Sequence, residues 1–299
     1  MTRRNNLLLV IGGMLLFASA IAYFAGVPKW SARLAHNWSW TSQYSGTVAW
    51  ADTTGQFAER KSPTDAKREF TIEEIDSAKG IVKIKDHYQT VDPKSGEVNW
   101  ESVLYFSVNR NTGRSEDSKE GEVFGLFPRF TEKRNYLIDM SYLNPIEMKY
   151  LQQEKVGNLT AYLFEYRGGA EYTESYLGTK DYQGIKVKPG QQVLCTEESY
   201  IFTLWIEPVT GEIIKWREGC YAGDALFDMA AGQKLYNLSQ WDGEMSTAST
   251  DATVDRLQWE RLRLLFLVRY LWPGLAIMGV VIACLGLVLQ KRHGVSSRA

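Results

Sequence analysis

Three cysteines and three histidines among 299 residues leave little material for a metal centre or a histidine-based active site. His36, His87 and His293 lie far apart in the chain, and no Cys/His pair has the spacing of a zinc site. There is no Gly-x-Ser-x-Gly elbow and no Gly-rich loop ending in Lys-Ser/Thr. Adjacent acids such as Glu73-Glu74 and Glu197-Glu198 would point to opposite faces of a strand. No enzymatic chemistry, metal or cofactor is therefore expected. An excess of charge of one sign is missing too: 34 Lys+Arg stand against 35 Asp+Glu, for a net charge of −1. That removes the basic footprint of a nucleic-acid binder.

Long hydrophobic runs are scarce in the middle of the chain and concentrated at its ends. Leu7 to Phe24 carries no charge and follows Arg3-Arg4. Tyr270 to Gln290 is also uncharged and precedes Lys291-Arg292. Each is about as long as a helix that crosses a bilayer core of roughly 30 Å. The first run reads as an uncleaved anchor. A cleaved secretory signal is the competing reading, because Ala18-Ser-Ala20 fits a small-residue cleavage pattern. Basic residues outside both runs place both termini in the cytoplasm and the middle of the chain outside it. The expected location is the cell membrane, with a double-pass topology. Gly274, Gly279 and Gly286 would let the second helix approach a neighbour closely.

The remaining organisation follows from composition. Residues 1–6 form a cytoplasmic tail and 7–26 the first membrane helix. Residues 27–241 form an extracytoplasmic domain, and 242–255, small, polar and acidic, a flexible linker. Residues 256–269, where Arg256, Arg261, Arg263 and Arg269 alternate with leucines, form either an amphipathic surface helix or an extension of the membrane helix. Residues 270–290 are the second membrane helix and 291–299 a cytoplasmic tail.

Within the outer domain, alternation marks strands at Gly80–Lys85, Val103–Val108, Thr160–Tyr166, Ser199–Ile206 and Glu212–Trp216. The fold class is mainly β, a β-sandwich or open barrel flanked by N- and C-terminal transmembrane helices. Three segments repeat a hydrophobic residue, a polar turn and Ser/Thr-Gly: Val91–Glu97, Val108–Arg114 and Ile206–Glu212. They predict hairpins. A short helix is predicted at Asn144–Gln153 from an Asn cap followed by Pro. Cys195 and Cys220, the two cysteines of the outer domain, predict a disulfide in an oxidising compartment, with free thiols as the alternative. Asn37, Asn158 and Asn237 fit the glycosylation acceptor pattern.

Aromatic residues make up 13% of the chain, more than two membrane helices use. Most must fill the core, yet such a domain also has the apolar walls and polar tips of an amphiphile groove. The segment Phe124–Asp139, FGLFPRFTEKRNYLID, resembles the signature of the porin PorA-type family, envelope proteins of actinobacteria and related sequences. The match runs through Gly125, Phe127-Pro128, Phe130-Thr131, Lys133, Tyr136 and Asp139, with Ile138 at an aromatic position. Tyr44–Thr47, Val156–Phe164 and Leu204–Gly211 extend it. The resemblance implies a two-helix envelope protein associated with envelope lipids and glycolipids. The expected function is non-enzymatic binding or transfer of such lipids. Phe124, Phe127, Phe130 and Tyr136 would form the groove, and Arg129, Lys133 and Arg134 would meet a head group. A structural protein that assembles with membrane-protein partners is the alternative, and a porin-like channel component the third reading.

Overall fold

Alternation is the first cause of the fold. In β3, Ile81–Val91, Val82, Ile84 and Asp86 are buried while Lys83 is exposed, the period of two of a strand with one face in a core. The computed structural model describes residues 2–26, 34, 38–52, 54–116, 122–123, 126–140, 143–172 and 187–296. Its other strands are β1 Ser39–Trp50, β2 Ser62–Asp76, β4 Val98–Asn109, β5 Glu122–Val123, β6 Tyr136–Met140, β7 Leu143–Val156, β8 Leu159–Glu171, β9 Gln191–Glu207, β10 Glu212–Asp228 and β11 Gln233–Met245. Three helices complete the described residues: α1 Thr2–Ile21, α2 Thr247–Leu265 and α3 Trp272–Ser296, with π-helical turns at Ala22–Gly26 and Phe266–Leu271.

The strands form one sheet in the order β4-β3-β2-β1-β11-β10-β9-β8-β7-β6-β5. Neighbours are antiparallel except β5 and β6, which are parallel. Single bridges, Val108 to Ser115 and Arg114 to Glu122, carry pairing from β4 round to β5. The sheet thus returns to its own edge as a thinly closed barrel. Its interior holds one hydrophobic core with contributions from both halves of the sheet, including Phe70, Ile84, Phe106, Phe164, Leu204 and Trp216. Cys195 and Cys220 form the expected disulfide between β9 and β10, with Cα atoms 6.1 Å apart. It spans the shift in register between Cys220 and Asp224.

The three repeated turns behave as one chemistry. Asp92 accepts from the backbone N–H of Lys94 at 2.7 Å, Asn109 from that of Asn111 at 3.1 Å, and Glu207 from that of Thr210 at 2.7 Å. The first and third close the β3–β4 and β9–β10 hairpins. The second returns onto β4 only through the Val108–Ser115 bridge.

Two expectations are overturned. Asn144–Gln153 is not a helix but part of β7, paired with β6 and β8. Leu143, Ile146 and Met148 point into the core, and this burial outweighs the Asn-Pro cap signal. Pro145 falls where β6 pairing slips, between Ile138–Ile146 and Met140–Leu143, a place where a missing N–H is tolerated. Residues 242–255 are not a flexible linker. Residues 242–245 finish β11 against β1, and α2 begins at Thr247. The Ser246 hydroxyl accepts from the Ser249 N–H at 3.2 Å, an N-cap. Val254 and Leu257 are buried against Leu159, Ala161 and Ile214, and Arg256 pairs with Glu212 at 2.6 Å. Two apolar contacts and a cap decide the conformation of a segment whose composition is polar.

The chain divides into two compact units, residues 33–258 and the terminal segments 1–32 with 259–299. In the terminal unit α1 and α3 pack antiparallel. The Ser19 hydroxyl donates to the carbonyl of Trp272 at 2.7 Å, and Tyr23 lies 4.8 Å from the Trp272 ring. A Cβ on Gly12 would lie 2.8 Å from the Gly279 carbonyl oxygen, so these glycines permit the close backbone approach. Gly274, by contrast, faces open space. The segments Asn6–Gly26 and Thr247–Gln290 are long and apolar enough to hold membrane spans.

Candidate functional site

The inward rows of the barrel change character along its axis. On β3 the inward residues run from Val82 and Ile84 to Asp86, Tyr88 and Thr90. On β4, which runs the other way, Val108 and Phe106 give way to Leu104, Ser102 and Trp100, and Tyr88 pairs with Ser102 in register. On β2, Phe70 is followed towards its start by Arg68 and Thr64. One end of the interior is therefore apolar, and the other is lined by polar and aromatic side chains.

That polar end holds a cavity of about 100 Å³, walled by Tyr44, Val48, Trp50, Tyr88, Trp100, Leu104, Tyr172 and Trp241. Thr47, Thr64, Thr90, Ser102 and Ser239 add hydroxyls, and Arg68, Asp86, Glu218 and Asp242 add charge. Tyr88 stacks on Tyr44 at 5.7 Å and tilts against Trp100 at 4.9 Å. Tyr44 in turn meets Trp216 edge-on at 4.7 Å, and the Trp216 Nε1–H donates to Ser42 at 3.0 Å.

The charges of this wall are organised. Arg68 donates to both Asp86 oxygens, Nε at 3.0 Å and Nη2 at 2.7 Å, with both side chains 3% exposed. The Tyr200 hydroxyl donates to Glu218 at 2.5 Å. Beside the cavity, Asp224 accepts from Tyr172 at 2.8 Å, Ser239 at 3.0 Å and Trp241 Nε1 at 2.9 Å. Asp242 accepts from Thr47 at 2.7 Å and pairs with Lys61 at 3.2 Å. Burial pushes the Tyr88 phenol well above its ordinary value, and the Glu218 charge adds to the shift. Tyr88 is therefore a neutral hydroxyl across the physiological range. Cys195, Cys220 and Asp224 are the one metal-like cluster among the described residues. Its two sulfurs are joined to each other, so it offers no thiolate.

The residues expected to bind lipid lie elsewhere. Phe127 and Tyr136 are buried; Phe127 tilts against Phe164 at 5.5 Å and Tyr136 meets it edge-on at 5.7 Å, as core. The segment around them is a clasp on the β9–β10 turn. The Phe130 N–H donates to Val209 O at 3.1 Å and the Thr131 N–H to Pro208 O at 2.7 Å. Gly211, at φ +71°, is required there, because a Cβ would come within 2.4 Å of the Phe127 carbonyl oxygen. Lys133 sits over the Tyr162 ring at 5.3 Å and Arg134 over Tyr136 at 4.2 Å. Arg129 is half-buried, and none of these residues lines the cavity. Phe124 lies outside the described residues, as does Asn37. Asn158 is exposed in the β7–β8 turn, whereas the Asn237 amide donates to Gly55 O at 2.7 Å. His87 points away from the interior and bonds Glu101 at 2.7 Å.

Apolar alternation alone does not reveal the cavity residues. Their signal was present: Arg68, Asp86, Tyr88 and Ser102 continue the inward phase of strands whose other inward positions are apolar. A polar residue at a core-phase position conflicts with folding and marks a site.

A model of the Porin PorA family matches residues 6–288. No curated protein matches the chain. Among solved structures, DynF from the dynemicin biosynthesis pathway of Micromonospora chersina is similar at 9% identity and a TM-score of 0.25, over 72% of this chain and 82% of that one. A score that low carries no argument about function.

Proposed function

Because the chain belongs to the Porin PorA family, an envelope family, we propose that it is a double-pass membrane protein whose β domain binds an envelope lipid or glycolipid outside the cytoplasm. The cavity carries this reading. It combines large aromatic faces with fixed hydroxyls and charges, the lining of a small-molecule site. The topology rests on two supports. Antiparallel packing of α1 and α3 brings both chain ends to one side, and basic residues at those ends favour the cytoplasm. The action is binding or transfer without covalent chemistry, since the charged groups of the wall are engaged with partners inside the fold.

The test is lipid extraction from the full chain purified in its native bilayer with a solubilising polymer. Mass spectrometry should find one lipid class enriched over the bulk membrane, and Tyr88→Ala should lose that enrichment. A lipid profile identical to the surrounding membrane in both proteins would refute the reading.

A further inference from the structure

We infer that the cavity is a carbohydrate subsite, shaped for a single neutral sugar ring rather than for an acyl chain; this rests on the lipid-binding reading above and narrows it to a glycolipid head.

Size is the first argument. About 100 Å³ lies well below the roughly 300–1,000 Å³ of sites that enclose drug-sized ligands. A long acyl chain needs a long apolar channel, whereas the wall here is broken by hydroxyls. Chemistry is the second argument. A sugar ring has a face of C–H groups and a rim of hydroxyls. Tyr44, Tyr88, Trp100 and Trp241 provide flat surfaces for the face, and such rings combine an apolar body with a polar tip. Thr90 and Ser102 supply groups that both donate and accept, which suits hydroxyl partners. The neutral Tyr88 phenol adds a third.

Charge is the third argument. The wall holds three carboxylates, those of Asp86, Glu218 and Asp242, against one cation, Arg68; Arg68 pairs with Asp86 and Lys61 with Asp242, so Glu218 leaves the lining negative. A phosphate or carboxylate head would meet net negative charge, and such like-charge contacts reject a ligand. A quaternary ammonium would suit the aromatic faces but would leave the hydroxyl rim unused. A polyol uses both.

The experiment uses the full chain in a polyoxyethylene detergent, which carries no sugar. Trp50, Trp100 and Trp241 line the cavity, so tryptophan emission reports its occupancy. Methyl glucoside, galactoside and mannoside are titrated separately, with tetramethylammonium chloride as the competing probe. The expected result is a saturable emission change with at least one glycoside. Ser102→Ala and Thr90→Val should each weaken it about three- to tenfold, the value of one hydrogen bond. Both variants are checked for an unchanged melting curve, and retention of full affinity by both would overturn the assignment. Saturation by tetramethylammonium without any glycoside response would overturn it too. If no glycoside binds while one lipid class is still enriched by extraction, the sugar assignment falls and the lipid reading stands. If glycosides bind and no lipid is enriched, the sugar assignment stands alone.

Discussion

Replacing Arg68 with methionine strands a carboxylate inside the barrel. Arg68 and Asp86 are each 3% exposed, and two hydrogen bonds of 3.0 and 2.7 Å join them. The guanidinium also lies 5.0 Å above the Phe70 ring. Removing one partner of a buried pair costs about 3–5 kcal/mol, because the remaining charge has lost its counter-ion but not its burial. For a domain of this size each kcal/mol lowers Tm by about 2–4 °C, so Arg68→Met should melt about 6–20 °C below the parent. The double variant Arg68→Met with Asp86→Leu removes both charges and fills the space with apolar atoms. It should recover most of the loss, since such replacements are often neutral or stabilising. The assay is thermal melting of the full chain in detergent, followed by far-ultraviolet circular dichroism at the β signal. The reasoning is refuted if the single variant melts with the parent, or if the double is less stable than the single. A double variant as stable as the parent but silent to glycosides would show that the pair is kept for the ligand rather than for the fold.

Four further outcomes follow. Phe127→Ala should cost about 3–5 kcal/mol by opening a cavity beside Tyr136 and Phe164, while Lys133→Ala, at an exposed site, should cost under about 1 kcal/mol; denaturant melts of both decide whether this segment is core. Replacing Cys195 and Cys220 together by alanine should cost roughly 3 kcal/mol for a loop of 25 residues, read as a lower denaturation midpoint. Gly12→Leu should force α1 from α3, because its Cβ already falls 2.8 Å from the Ala283 nitrogen; spin labels at the exposed Phe17 and Ile277 should report a longer, broader distance. Tyr88, whose phenol is raised, stays neutral in the fold while the unfolded side chain ionises near pH 10. Its contribution is therefore present below pH ~10 and lost as pH rises further, and Tyr88→Phe should flatten that alkaline decline in melting temperature.

The parts of the fold that depend on local chemistry were legible. Charge-free runs gave the two apolar helices, and Ser/Thr-Gly turns gave the β3–β4 and β9–β10 hairpins. The disulfide followed from two cysteines in one compartment. What failed depended on distant partners. Asn144-Pro145 looks like a helix start until Ile146 and Met148 meet the core. Residues 247–255 look unstructured until Val254, with Leu257 beyond it, finds Leu159 and Ile214. The cavity is hard to read from the sequence for the same reason. Phe127 and Tyr136 form a dense aromatic motif, but density of aromatics marks packing as readily as binding. The cavity is assembled from single residues spread over β1, β2, β3, β4, β10 and β11, plus Tyr172, so no short segment announces it.

Strand length does not decide whether the β domain itself could form a pore. A membrane-crossing strand needs about 9–11 residues, and β9 and β10 have 17 each. Polarity decides instead. A transmembrane barrel turns apolar residues outward to lipid and polar ones inward to water. Here Ile84, Phe106, Phe164 and Leu204 point inward, while the outer surface carries ion pairs such as Lys67–Glu69 at 2.7 Å and Arg167–Glu165 at 3.4 Å and the His87–Glu101 hydrogen bond at 2.7 Å. Each outward Lys or Arg at the bilayer midplane would cost about 2–4 kcal/mol. This is the polarity of a barrel surrounded by water. Conductance in this architecture would then run between apolar helices, and α1 with α3 pack closely around Gly12 and Gly279. A pore would require several copies to arrange their helix pairs around an axis.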